Sequence, residues 1–416
     1  MNLAVISIIF FIITIAIGVI FKVNCGIVAM ATSFVLVQFF AVDMSLSDIY
    51  KMGWPVGTFF MMLSVLLLFG IAGANGTMEI VARKLVTLLN GKTKIMPFFI
   101  FILTLVLSGS GAGPGIAPMV MVIAMGICKE TGLSCFMMGI TVECGAAIGG
   151  LSPVATSGII AKELAAASGV TNYMGMLIPY AIAMTLEVVV VYIIFGGWKA
   201  KNVQRKKSLD VPKEKMTLYQ KETLMIVCLV VGAILVFKLD VSMTAFGGAA
   251  LLIILGVMQD KKAVATVNWN TLLMVSGMYM LITVVDKCGG MDLISNSLMS
   301  IITPRTGTGI MTFLSGVLAT VTSSSGVVMP TLIPISGNIA AGMGEGVSSM
   351  MLMSGVIAGA NCALFCPVSV LGSMTISLYP KEANNAMIFK RHVQMTFLSI
   401  IFMTLLGFSG FLNIFC

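Results

Sequence analysis

Two runs of small residues hold the most chemistry in this 416-residue chain: Ser108-Gly109-Ser110-Gly111-Ala112-Gly113-Pro114-Gly115, and Val321-Thr322-Ser323-Ser324-Ser325-Gly326. Short hydroxyls donate hydrogen bonds, and glycine lets a ligand approach backbone N–H groups closely, so such runs suit a carboxylate. A second pair of motifs follows them in the same order. These are Gly149-Gly150-Leu151-Ser152-Pro153-Val154-Ala155-Thr156-Ser157-Gly158 and Ala363-Leu364-Phe365-Cys366-Pro367-Val368-Ser369-Val370-Leu371-Gly372. Ser108, Ser110, Gly111, Ser152, Thr156, Ser323, Ser324, Ser325, Asn361 and Ser369 are the expected lining of an anion site. For each serine the plainer reading is a bond back to its own helix. For the glycines it is close helix packing. Four breaks in a repeated order weigh against packing alone.

No arginine or lysine falls in these motifs, so an anion there depends on half-helix dipoles and on an accompanying cation, Na+ or H+. Glu143, Glu187 and Asp286 stand at or near membrane depth, where a charged acid costs about 2.5 to 3.5 kcal/mol on insertion scales. Glu143 precedes the Gly149–Gly158 break by about two turns of 3.6 residues. With Gly149 it is the expected cation site, and the repeat equates Glu143-Cys144 with Asn361-Cys362. No cofactor beyond the coupling cation is expected. The nine cysteines have no paired spacing and His392 is the only histidine, which speaks against zinc, disulfides and Ser-His-Asp catalysis. Gly91-Lys92-Thr93 lacks the leading glycine of a phosphate loop, since Val86 holds its place. Runs such as Met350-Met351-Leu352-Met353 read as adaptable packing.

The elements that position these residues need lipid as solvent. The chain is 58% hydrophobic and 10% charged, against roughly a quarter charged in soluble domains. Apolar runs such as 3–21, 25–42 and 176–198 are long enough to cross a bilayer. The first run lacks a basic leader and a small-residue cleavage site, and reads as a retained helix. The expected fold is an all-α polytopic membrane protein of two inverted repeats, each with about five transmembrane helices, a re-entrant hairpin and a broken helix. Residues 1–198 form the first repeat, 199–221 a basic cytoplasmic linker and 222–416 the second repeat. In each half a span opening at Trp54 or Trp269 precedes the hairpin, and Pro118 and Pro330 follow the hairpin tips. Arms 95–107 and 116–127 are short for a crossing. Placing the linker inside puts nineteen of the 24 basic residues on that side and both termini outside. The net charge of +8 thus reports topology, not nucleic-acid binding.

On these residues the chain resembles the ion transporter superfamily, which includes the divalent anion/sodium symporters. Its first 165 or so residues resemble MatC-type dicarboxylate (malonate) carriers. The likeness lies in the opening Met1-Asn2-Leu3-Ala4-Val5-Ile6-Ser7-Ile8, in Leu68-Phe69-Gly70-Ile71-Ala72 leading to Asn75-Gly76-Thr77-Met78-Glu79, in the Leu107-Ser108 tip and in Ser152-Pro153-Val154-Ala155-Thr156-Ser157-Gly158. The resemblance implies a scaffold packed against a unit that holds the hairpins and broken helices. In the symporters, Ser-Asn-Thr triplets at the tips hold carboxylate and frame sodium sites. This chain has Ser108-Gly109-Ser110 and Ser323-Ser324-Ser325 instead.

The expected function is secondary active transport of a small organic anion, a di- or tricarboxylate, coupled to Na+ or H+, in the cytoplasmic (inner) membrane. A Na+/H+ antiporter or an oxyanion exporter of the same superfamily is the alternative. A lipid-modifying membrane enzyme is more remote, because no interfacial Asp or His cluster stands out. Expected partners are the anion, the bilayer and, as an option, a second copy of the chain in a homodimer.

Overall fold

The computed structural model describes residues 2–40, 42–87, 92–200, 216–237, 239–344, 346–367, 369, 372, 376–379 and 385–416. Most of the basic linker (201–215), together with Gly91, Lys238, Glu345, Val368, Val370, Leu371 and Lys381, lies outside the described residues. Those described form helices and turns, with no strand among them. The first half runs α1 (Leu3–Ile20), α2 (Cys25–Phe39), α3 (Val56–Ala74), α4 (Thr77–Thr87), α5 (Met96–Leu107), α6 (Ala117–Thr131), α7 (Cys135–Gly150), α8 (Thr156–Ala167) and α9 (Tyr173–Ile194). The second runs α10 (Leu218–Phe237), α11 (Val241–Ile254), α12 (Trp269–Lys287), α13 (Gly290–Met299), α14 (Gly307–Val321), α15 (Met329–Met343), α16 (Ser349–Cys362) and α17 (Asn385–Phe408).

Among the described residues, six helical stretches are long and apolar enough to cross a membrane: α1, α3, α9, α12, Ser324–Met343 and Met387–Phe408. The stretches Met96–Ala112 and Pro114–Lys129 are shorter, as the sequence leads one to expect. Their counterpart Ser324–Met343 reaches 20 residues because the turn after Ser323 runs directly into α15.

Apolar composition makes these segments helical in lipid, but the buried faces decide how they pack. α9 turns Ile178, Ile182, Leu186, Val190 and Ile193 outward at helical spacing and buries Tyr180, Met184, Glu187 and Val191. The outward stripe is the lipid face; the buried one carries the polar groups.

The halves interlock through their early helices, α2 against α12 and α3 against α11. At the first crossing a Cβ on Gly277 would meet the Gly26 Cα at 2.7 Å, so glycine is required for the backbones to touch. Asn24 Nδ2 donates to Asn270 Oδ1 at 2.8 Å beside it. The later helices pair within each half, α5 along α7 and α14 along α16, and α9 then meets α16 across the halves.

The repeat can be read hydrogen bond by hydrogen bond. Ser134 caps α7 by accepting from Met137 N (3.3 Å), and Ser348 caps α16 by accepting from Met351 N (3.0 Å). At the breaks, Ser152 N donates to the Gly149 carbonyl (2.8 Å) and Cys366 N to that of Ala363 (3.0 Å). Ala155 N then donates to the Ser152 carbonyl, as Ser369 N does to that of Cys366, both at 2.9 Å. Every pair differs by 214 in residue number, as 134 does from 348. This register corrects the match of Glu143 with Asn361: Ile357 stands opposite Glu143, and Ala147 opposite Asn361. Aligning Cys144 with Cys362 slipped the helix by about one turn, which leaves the same face forward and so goes unnoticed in a pattern.

Candidate functional site at the paired breaks

Ser108 closes α5 and is fully buried, and its Oγ donates to the Ala146 carbonyl of α7 at 2.9 Å. In the second half Ser324 Oγ donates to the Ala360 carbonyl of α16 at 2.5 Å. Ala146 and Ala360 each precede the proline of the following break by seven residues, so the two tips are moored in the same way. A net hydrogen bond of this kind contributes about 1 kcal/mol, enough to fix a tip without welding it.

Backbone conformation explains the glycines. Gly111 has φ +123°, and a side chain there would strike the Phe69 ring of α3. Gly149 is held against the first tip: an added Cβ would lie 2.7 Å from Ser108 Cβ and 2.8 Å from Gly109 N. Gly326 meets Met274 of α12 in the same manner, with an added Cβ 2.6 Å from its Sδ. The tips therefore abut α3 and α12, helices of the early crossings between the halves.

The remaining expected residues divide between the tips. Ser152 is partly exposed beside Gly109, where an added Cβ would come within 3.7 Å of Ser152 Cβ. Thr156 opens α8 opposite Gly113, and its neighbour Ala155 offers no side-chain cap, which leaves the first N–H groups of α8 for another acceptor. Ser110 bonds back to Leu107 (2.9 Å), the behaviour expected of a serine serving its own turn. Ser323 Oγ accepts from Gly326 N (3.1 Å), and Ser369 Oγ accepts from Gly372 N (3.0 Å). Ser325 is partly exposed in the second tip, whereas Asn361 is buried and donates to the Ile357 carbonyl at 2.8 Å. The two groups of serines make no hydrogen bond to one another among the described residues, although α8 touches the second tip.

Glu143 and Gly149 are not brought to one point. They are separated by about 9 Å along α7 at 1.5 Å per residue, and the Gly149 carbonyl accepts from Ser152 N. Glu143 Oε2 faces α17, 3.7 Å from His392 Nδ1. Glu187 is buried and its Oε1 accepts from Ser399 Oγ of α17 at 2.7 Å. Among the described residues no three His, Cys, Asp or Glu side chains gather as metal ligands. His392, Tyr379 and Ser399 lie outside the sequence motifs; the rarity of histidine marks the first and a polar residue in the apolar α17 the last, whereas Tyr379 sits in a bend before that helix and carries no such signal.

A cavity of about 360 Å³ opens between α8, α12 and α15, lined by Ser168, Tyr279, Thr283, Asp286, Pro334 and Asn338. Asp286 is exposed at its rim. Pro334 lies about 9 Å along the helix from Val328 of the second tip.

Comparison with known proteins agrees with this architecture. The YdaH transporter of Alcanivorax borkumensis, whose crystal structure is described as having an unusual topology, superposes with a TM-score of 0.60 at 11% identity. The match covers 99% of this chain and 98% of that one, and at this identity it speaks for the fold alone. No curated protein matches the sequence. The profile of the CitMHS family, described as citrate transporter, matches residues 8–359, from α1 through both hairpins and most of α16. The chain, a multi-pass secondary transporter of the ion transporter superfamily, therefore belongs to the CitMHS citrate transporter family.

Proposed function

We propose that the protein carries a small di- or tricarboxylate, citrate being the first candidate and malonate the second, across the cytoplasmic membrane by coupling it to Na+ or H+. The observation that carries this reading is the paired mooring of the tips, Ser108 on Ala146 and Ser324 on Ala360, each beside a proline break. Broken segments in matching positions of two halves are where carriers bind substrate. In this reading the halves are inverted, the hairpins are re-entrant, and the anion lies between the tips against the uncapped start of α8. Backbone N–H groups and serine hydroxyls bind the carboxylates. Glu143 serves the coupling cation. The cavity beside Asp286 is the access route to the second tip from the outer face.

Ligand stabilisation of the purified protein tests the substrate class, because a molecule that binds only the folded state raises the melting temperature. Citrate, malonate or succinate should raise it, more strongly with Na+ or at lower pH, and gluconate and monocarboxylates should not. A response to none of the carboxylates, with a response to sodium or an oxyanion alone, would support the antiporter or exporter instead.

A further inference from the structure

We propose that Cys128 and Cys135 form a dithiol that peroxide oxidises, a modification site at the foot of the first hairpin where a reversible disulfide joins α6 to α7. The nine cysteines show no paired spacing in the sequence, and the structure holds them all as free thiols. Cys128 lies in the last turn of α6 and Cys135 is the first residue of α7, with the chain reversing between them. Local hydrogen bonds build that reversal. Gly132, at φ +71°, donates its N–H to the Cys128 carbonyl at 2.8 Å. Thr131 Oγ1 donates to the Ile127 carbonyl (2.7 Å) and accepts from Leu133 N (3.4 Å), and Ser134 caps α7. The two thiols are thereby brought into a hydrogen bond with one another across the turn. Ser108, at the other end of the hairpin, is moored to Ala146 of α7, so a disulfide at the foot holds the hairpin to α7 at both ends.

The two sulfurs differ, and the difference assigns their roles. Cys128 is buried, whereas Cys135 is partly exposed. Cys135 also stands at the positive end of α7, where the first N–H groups have no partner within the helix. Peroxide is attacked by a thiolate, and a helix N-terminus stabilises one. Cys135 therefore reacts first: its thiolate takes one oxygen of hydrogen peroxide, the O–O bond breaks, and the departing hydroxide takes up a proton to become water. The Cys128 thiol then attacks the Cys135 sulfenic acid, the S–O bond breaks, and a second water leaves. Two thiols and one peroxide give one disulfide and two waters, with two electrons passing from the sulfurs to the peroxide. A low-molecular-weight thiol reverses the step by exchange. In the proposed orientation the exposed Lys129 puts this turn on the cytoplasmic face, where thiols rest reduced and a disulfide is transient. Other cysteines are engaged differently. Cys362 and Cys366 donate to the Ala358 and Thr320 carbonyls at 3.3 and 3.6 Å, and Cys228 and Cys416 are exposed.

The test treats the purified full-length protein with hydrogen peroxide at neutral pH, alkylates it with N-ethylmaleimide and digests it with trypsin for mass spectrometry. Cleavage after Lys129 separates the two cysteines, so the disulfide appears as two joined peptides with two hydrogens fewer than their sum, and fragmentation locates the bridge. The joined pair should form at peroxide levels that leave Cys228 and Cys416 open to alkylation, and dithiothreitol should abolish it. With dimedone present, C128S should carry an adduct on Cys135, and C135S should carry none on Cys128. Wild-type protein in which Cys128 and Cys135 both stay alkylated after peroxide, or in which Cys228 and Cys416 oxidise first, overturns the proposal. So does a dimedone adduct on Cys128 of C135S. The wild-type measurement decides alone should C128S fail to fold.

Discussion

A serine at a broken helix can serve its own turn or a neighbouring helix, and the structure shows both uses. Ser110 bonds back to Leu107, whereas Ser108 and Ser324 reach across to a neighbouring helix. Replacing Ser110 or Ser324 with phenylalanine should abolish citrate binding, measured by calorimetry, while the protein stays folded and monodisperse. Unchanged affinity in both variants would make the Gly/Ser runs mere packing. The serines were legible in the sequence because they recur in the same order with proline behind them. The partners of Glu143 were not. A lone histidine on an apolar helix has no spacing to pair with, and His392 and Glu143 meet only because α17 of one half brings this side chain to α7 of the other. Tyr379 is equally hidden: it fits beside His392 because Gly139 of α7 has no side chain to collide with its hydroxyl.

Among the elements, the hairpins and broken helices depend on a few glycines whose neighbours are backbone. Gly149→Val would push a side chain into Ser108 and Gly109 of the first tip. Overpacking of this kind typically costs about 1–3 kcal/mol, so the melting temperature in detergent should fall and citrate binding with it. Gly126 of α6 has no atom within 4 Å of an added Cβ, so Gly126→Ala should leave the melting temperature unchanged or raise it. A Gly149→Val protein as stable and active as wild type would show that the tip is not held by α7. The order of elements was open to sequence reading because glycine and proline interrupt apolar helices visibly. Register was harder: a slip of four residues keeps a helical face nearly aligned, and identical cysteines favoured the wrong match at Asn361. Only the serine caps of α7 and α16 and the turns at the breaks fix it.

At the scale of the whole molecule, the proposed orientation rests on charge asymmetry and the helix order. With the linker inside, a cysteine placed near Asp43 should react with an impermeant maleimide added to intact cells, and one near Lys206 should be spared, in a background lacking the exposed Cys228 and Cys416. The reverse pattern would invert every assignment of outer and inner face. The α2–α12 and α3–α11 crossings tie the halves into one scaffold. Composition could not reveal them, since apolar helices carry little sign of which neighbour they choose. In the proposed function the paired tips carry a polycarboxylate against its gradient. Uptake of labelled citrate into proteoliposomes, under an imposed pH gradient or an imposed sodium gradient, tests it most directly. Accumulation above the equilibrium level, competed by malonate or succinate and absent from Ser324→Phe, is the expected result. Failure to accumulate citrate or any other di- or tricarboxylate under either gradient, or accumulation unaffected by Ser324→Phe, would contradict it.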